Sequence, residues 1–252
     1  MHSAPYVRAL PLLVLLAAGL LVGCGPKKPR TSIPAPPPPP AAGSSSHPAP
    51  ETPEATQPAT AEPRLPKEAT PIYVETGLAS WYGAPYHNRR AANGQTYDMN
   101  AMTAAHRTLP LNSLVRVTNL KTGSRALVRI TDRGPFVQDR ILDLSLAAAK
   151  AVDVWRPGTA RVRLEVLEAP APIERGGRWA VQIGGFEQEA EARRIQDRLS
   201  RRYRTAKVLA FASPVGAWWV RVRVLDDDKR RAEEVAQNAP APEENVFLVR
   251  LD

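Results

Sequence analysis

The sequence predicts two folded regions in series: a small all-β barrel, then an α+β domain of βαββαβ order. Three observations predict it. Residues 72–168 hold many short β-like runs and a single helical signal, and residues 178–252 alternate strand and helix periods. The Pro-rich stretch before residue 72 lacks the large apolar side chains that a core needs.

In the first region the β-like runs are Gly77-Leu78-Ala79-Ser80-Trp81-Tyr82, Leu114-Val115-Arg116-Val117-Thr118, Ala126-Leu127-Val128-Arg129-Ile130 and 160–166. Gly123, Gly134-Pro135 and Pro157-Gly158 punctuate them as turns. Ser145-Leu146-Ala147-Ala148-Ala149-Lys150 opens on a serine suited to cap a helix. Many short strands with little helix make a small barrel.

Residues 169–177 read as a Pro/Gly hinge. Beyond it, 179–183 is a strand, and 187–203 is a helix with Ala192, Ile195, Leu199 and Tyr203 on one face. Residues 207–211 and 218–225 are strands around a Pro214-Val215-Gly216 turn, 227–238 is a second helix and 246–251 a last strand. In Trp219-Val220-Arg221-Val222-Arg223-Val224 the valines face the core, and Trp219, Arg221 and Arg223 face outward with Gln182 of the neighbouring strand. That predicts an open sheet face bearing an aromatic ring, two guanidinium groups and an amide, which fits a carboxylate-bearing polymer, an RNA or a merely solvated basic face. The run of arginines at 193, 194, 198, 201 and 202 is interleaved with acids and reads as a solvated helix face.

The chain has 252 residues, 26 of them Pro, and a formal net charge of +9. Positive charge attracts nucleic acid, anionic lipid and cell-wall polymers alike, so it does not choose among them. The first residues choose the compartment. Arg8 is followed by an apolar run over 9–22, short of the roughly 20 residues that span a bilayer, which reads as a signal peptide over 1–23. Leu21-Val22-Gly23-Cys24 resembles the bacterial lipobox, so Cys24 is expected to be lipidated; it is the only Cys, which excludes an intramolecular disulfide. Gly25, rather than Asp, favours outer-membrane anchoring on the periplasmic face. Within 24–71, the Pro-rich tether over 25–70 is expected to reach roughly 37 Å as a flexible coil or about 140 Å as polyproline. Export argues against a nucleic-acid partner.

Ala79-Ser80-Trp81-Tyr82-Gly83, Ala92-Asn93-Gly94, Tyr97-Asp98-Met99-Asn100 and Thr103-Ala104-Ala105-His106-Arg107-Thr108-Leu109-Pro110 resemble the rare lipoprotein A family. So do Arg116-Val117-Thr118-Asn119-Leu120, Thr131-Asp132-Arg133-Gly134-Pro135-Phe136 and Arg140-Ile141-Leu142-Asp143-Leu144-Ser145. Val181-Gln182-Ile183-Gly184-Gly185-Phe186 and the 220–224 strand resemble the SPOR domain. The resemblance implies a double-psi β-barrel of the expansin type over 72–168, and a peptidoglycan-binding SPOR domain over 178–252. It also implies endolytic lytic transglycosylation between N-acetylmuramic acid and N-acetylglucosamine, with preference for glycan stripped of its stem peptides, at the division septum.

That chemistry needs one acid/base and no bound water, because the substrate's own C6 hydroxyl attacks and leaves a 1,6-anhydro end. Asp132 matches the family's key aspartate, and a Gly-Pro turn follows it at the end of a strand. An aspartate there also suits capping of a turn through backbone amides. His106 matches a second family site residue. Gln95 stands where the family commonly has Glu; it cannot ionise, yet it can hydrogen-bond a sugar. Asn88 and Ala91 replace the usual Gly and Thr. Asp98 and Asp143 are further carboxylates, Asp143 read as serving the fold. The sequence shows no metal-ligand spacing, nucleotide loop or nucleophile triad, and no cofactor is expected. Gln95 keeps a second reading open: a non-catalytic, expansin-like glycan-binding lipoprotein. A hydrolase using Asp132 and a water is the third.

Overall fold

Alternation builds the barrel. In β3 (Leu114–Asn119), Val115 and Val117 are wholly buried, as are Val128 and Ile130 of β4 (Arg125–Asp132) and Val162, Leu164 and Val166 of β6 (Ala160–Glu168). They pack with Ala79 of β1 (Tyr73–Trp81), Ala104 of β2 (Thr103–Ala105) and Leu142 and Leu144 of β5 (Arg140–Leu144). The strands close in the order β1-β5-β2-β4-β3-β6, with β1/β5 and β2/β4 parallel and the remaining pairs antiparallel. One helix, α1 (Leu146–Ala151), follows β5. Its expected cap is present, Ser145 Oγ accepting from Ala148 N at 3.1 Å, and Ala148 and Ala149 seal one side of the core.

These elements come from a computed structural model, which describes residues 69–252 other than 212, 214 and 215. The expected signal peptide, Cys24, nearly all of the expected tether and most of the 214–216 turn therefore lie outside the described residues. The described residues belong to the compact unit Ala55–Asp252.

The second domain runs β7 (Trp179–Phe186), α2 (Glu189–Ser200), β8 (Lys207–Ala210), β9 (Trp218–Arg223), α3 (Lys229–Gln237) and β10 (Val246–Arg250), which is the expected βαββαβ order. Its antiparallel sheet has the order β10-β7-β9-β8. Val181, Ile183, Val220 and Val222 face Ala192 and Leu199 of α2 and Ala232 and Val235 of α3. Near the end of β7 the register with β9 shifts at Gly184, where φ is +139° and a Cβ would meet Trp218 O at 2.9 Å, so only glycine fits.

The other sheet face is not open. Trp219 and Gln182 are 0 % exposed. Trp219, Phe247 and Val249 form a second apolar cluster with Leu209, Phe211 and Leu251, and Phe136 of the barrel inserts into it. The Phe136 ring lies 5.4 Å from Trp219, 5.8 Å from Phe247 and 5.9 Å from Phe211. This corrects the expected solvent-facing sheet, for a physical reason: a face carrying Leu209, Trp219, Phe247 and Val249 is too apolar to stay wet. Backbone bonds fix the seam, Arg250 N donating to Arg107 O at 3.0 Å and Leu111 N to Asp252 O at 3.1 Å. Arg133 Nη2 donates across it to Asp252 O at 2.5 Å.

Candidate active site

One lateral row of residues makes the site. Across neighbouring strands the register pairs Ser80 of β1 with Asp143 of β5, Asp143 with Ala105 of β2, and Ala105 with Asp132 of β4. All four line one cleft of about 680 Å³. Plain alternation along β4 would turn Asp132 to the inner face with Val128 and Ile130. A register shift between Ala104 and Ala105 steps the pairing from Ile130 to Asp132, leaving Thr131 out. The bulge therefore re-aims Asp132 onto the face of Asp143 and Ser80. With only the small Ala105 between them, two carboxyls share one groove.

Asp132 is half-buried, and its two oxygens differ. Oδ1 accepts from Ala92 N at 3.0 Å and Arg133 N at 2.8 Å; Oδ2 has no hydrogen-bond partner among the described residues. Burial pushes the carboxyl pKa up, and the two amide bonds and the Arg133 charge oppose it without reversing it. Asp143 is also pushed up by burial, against Arg140 at 3.4 Å and the Ser80 hydroxyl, which donates to Oδ1 at 2.6 Å. Raised carboxyl pKa values in a cleft are what a proton donor needs.

Aromatic rings form the walls. Trp81, Tyr82, Tyr86 and Tyr97 line the cleft, with the Tyr82 ring 4.5 Å from Tyr97 and 5.9 Å from Tyr86. Tyr97 Oη donates to Tyr82 O at 2.8 Å and so fixes the loop that follows β1. Burial first, and then the charge of Asp132, keeps the Tyr82 hydroxyl protonated. Arg89, Arg90, Arg140 and Arg221 add positive charge around the same groove. Flat apolar faces beside cations suit a sugar polymer bearing carboxylates. Among the described residues, no group of three or more His, Cys, Asp and Glu could hold a metal ion.

The structure separates the residues singled out from sequence. Asp132 reaches the cleft. Its turn-capping role and its open oxygen coexist, because each oxygen does one of them.

His106 does not reach the cleft. It is 3 % exposed, its Nδ1 accepts from Thr108 N at 3.1 Å and Leu109 N at 3.0 Å, and its Nε2 therefore carries the proton and donates to Glu75 at 3.1 Å. Burial pushes its pKa down, and with Nδ1 accepting two amides the ring is neutral and positions the 106–109 turn.

Gln95 is exposed and outside the cleft lining, its Oε1 accepting from Asn93 Nδ2 at 2.8 Å. Gln95 N also donates to Asn93 Oδ1 at 3.1 Å, so the 93–95 turn keeps both bonds local. Asp98 also stays outside, accepting from Asn100 N at 2.9 Å. Of the sheet-face residues, Gln182 and Trp219 are buried at the seam. Arg223 is exposed and sits 3.8 Å from Asp227, and Arg221 alone reaches the cleft.

Sequence reasoning missed the place of Ser80 and Asp143, and of Tyr86. The recurrence of hydroxyl, carboxyl and small side chains at strand ends is a signal only once the register is known.

Comparison with known proteins agrees with this architecture. The family described as "Lytic transglycolase" matches residues 74–164, and "SPOR domain" matches residues 176–250. An endolytic peptidoglycan transglycosylase RlpA of Campylobacter jejuni is 42% identical over 153 residues, covering 51% of this chain and 55% of that protein. Its counterpart from Pseudomonas aeruginosa is 51% identical over 112 residues, covering 44% and 31%. The chain thus spans about half the length, or less, of the curated relatives it matches. An expansin of Clavibacter michiganensis aligns over 61% of this chain and 81% of its own, at 16% identity and a TM-score of 0.32. The fold is a double-psi β-barrel followed by a SPOR domain, and over about half of its length the chain is similar to the RlpA transglycosylases.

Proposed function

We propose that the chain is an endolytic peptidoglycan lytic transglycosylase acting on glycan with few stem peptides, with Asp132 as its acid/base. One observation carries this reading: a carboxyl with a raised pKa stands in an aromatic cleft with one oxygen tied to the backbone and the other open. The open oxygen, protonated, gives its proton to the glycosidic oxygen between N-acetylmuramic acid and N-acetylglucosamine as the bond from C1 breaks. The C6 hydroxyl of the muramic acid then attacks C1, and its proton returns to Asp132. No water is consumed and the carboxyl is regenerated. The Ala92 and Arg133 amides stabilise the ionised form between the two transfers. Asp143 and Ser80, across Ala105, contribute a second carboxyl and a hydroxyl to the groove floor.

Lipidation at Cys24 would tether the chain to the periplasmic face of the outer membrane, and the SPOR domain would concentrate it at the division septum. Supporting the anchor is the apolar run over 9–22, which leads into Leu21-Val22-Gly23-Cys24. Gln95 favoured a non-catalytic reading; with its side chain outside the cleft, proton transfer at Asp132 does not run through it.

The test is turnover of peptide-free glycan by the full chain and its Asp132→Asn variant. The parent should release fragments, and the variant should be slower by a hundredfold or more, as expected for loss of a general acid. The parent's kcat/KM should fall as pH rises through the raised Asp132 pKa. An Asp132→Asn variant that cuts like the parent would refute the role.

A further inference from the structure

Six large apolar side chains are exposed among the described residues, and four of them share one wall of the barrel: Ile72 at 62 %, Leu120 at 50 %, Val74 at 41 % and Leu78 at 37 %. Scattered singly they would mean little; gathered, they mark a surface that something covers. The register gathers them. Val162, Leu164 and Val166 of β6 are buried in the core, so their partners Gly77, Glu75 and Tyr73 turn inward and the alternate residues of β1 turn out. Val74 then lies beside Glu165 and Arg116, and Thr76 beside Arg163 and Thr118. Leu78 lies beside Arg161, whose carbonyl accepts from Leu120 N at 3.0 Å.

An aliphatic column on β1 thus runs beside a charged column on β6. Glu165 is the one acid in these rows, and Arg116 and Arg163 hold it at 2.8 and 3.4 Å. Exposed Arg161 has no Asp or Glu at ion-pair distance among the described residues. The barrel is closed, so no strand edge is open for a peptide to extend. Aliphatic side chains set among arginines, whose stems are apolar and heads charged, match the boundary between acyl chains and phosphate head groups. Position names the occupant. The patch starts at Ile72, just past the Pro-rich stretch over 25–70, so the segment leading from Cys24 enters the barrel at this wall. A flexible linker holds its two ends at a roughly millimolar effective concentration, so a contact too weak to last alone still forms. No residue of β3 or β6 lines the Asp132 cleft, and of β1 only Ser80 and Trp81 do, so covering this wall leaves the cleft clear.

We propose that the outer wall formed by β1, β6 and β3 is a membrane-contact surface, which lays the barrel on a leaflet holding anionic phospholipid with Val74 and Leu78 at the acyl boundary and Arg161 among the phosphates. The tethering rests on the reading of Cys24 as a lipid anchor; the contact itself does not.

The test uses the full chain with Cys24→Ser, which cannot be acylated and leaves an introduced thiol as the only one. A fluorophore is placed on Val74→Cys, or on Asp197→Cys of α2 as the control, and mixed with vesicles carrying nitroxide-labelled lipid. The vesicles are phosphatidylcholine with about 30 % phosphatidylglycerol. The apolar run over 9–22 acts alike in both labelled chains, so the difference between the two positions reads the wall. Quenching at position 74 should exceed that at 197 about fivefold or more. It should fall roughly threefold or more with Leu78→Asp, with Arg161→Glu, and in vesicles of phosphatidylcholine alone. Should Leu78→Asp fail to fold, Arg161→Glu decides by the same criterion. Equal quenching at the two positions, or quenching that neither substitution nor lipid charge alters, overturns the proposal. So does a dimer in sedimentation that Leu78→Asp dissociates while position 74 stays unquenched, since a second copy then covers the wall. Mass spectrometry of Cys24 in the parent separates the anchor from the contact. Unmodified Cys24 with position 74 quenched supports the contact and removes the anchor; acylated Cys24 with position 74 unquenched keeps the anchor and overturns the contact.

Discussion

At Asp132 a single carboxyl has one oxygen tied to the backbone and one left open to the cleft. Because burial lifts its pKa in the fold above the unfolded value, folding favours the protonated form. That contribution is complete below about pH 4 and is lost as pH rises through the folded pKa. The Asp132→Asn variant keeps an oxygen for Ala92 N and Arg133 N and cannot ionise. It should therefore melt above the parent at pH 7, with the gain vanishing below about pH 4 in calorimetric scans; a lower melting temperature at pH 7 would contradict the burial argument. His106 shows the opposite division, since both ring nitrogens are occupied inside the wall. His106→Ala strands the Thr108 and Leu109 amides and the Glu75 carboxylate, and should cost about 2–4 kcal/mol in urea denaturation. A loss under about 0.5 kcal/mol would show that water replaces the ring freely. Asp132 is legible in sequence through the resemblance of Thr131-Asp132-Arg133-Gly134-Pro135-Phe136, since its position alone reads as readily as a turn cap. The role of His106 is not, because its partner Glu75 lies in a strand whose register no local pattern reveals.

Among elements, the two shortest strands of the barrel matter most. β2, with three residues, and β5, with five, bring Ala105 and Asp143 beside Asp132. Neither shows enough alternation to be read as a strand, whereas β3, β4 and β6 do. The capped helix α1 and the βαββαβ order are legible for the same reason: caps and periods are local, while parallel pairings such as β2 with β4 join segments distant along the chain. The bulge at Thr131 is likewise invisible without a partner strand, and it sets which way Asp132 points. Ala105 tests this arrangement. Ala105→Leu should fill the space between the two carboxyls and lower kcat/KM at least tenfold, at a stability cost of no more than about 3 kcal/mol. Unchanged turnover would mean that substrate does not cross the row.

For the whole molecule, the seam turns two domains into one groove. The apolar run Val246-Phe247-Leu248-Val249 on an outer strand was the available sign that both sheet faces are covered, since a half-solvated strand alternates. Reading only the polar members Gln182, Arg221 and Arg223 gave an open face. Phe136 is the wedge, and Phe136→Asp places a charge among Trp219, Phe211 and Phe247. It should red-shift tryptophan emission and expose the 169–177 hinge to trypsin, detectable as at least tenfold faster nicking; a spectrum and digestion rate like the parent's would contradict a docked sheet. Under the proposed lyase reading, cleavage without water is the most direct consequence of one carboxyl acting alone. Digestion of peptide-free glycan in H₂¹⁸O, followed by mass spectrometry of the new ends, distinguishes it from hydrolysis. Asp132 acting as sole acid/base predicts 1,6-anhydro ends carrying no ¹⁸O, and reducing ends with one ¹⁸O per cut would contradict it.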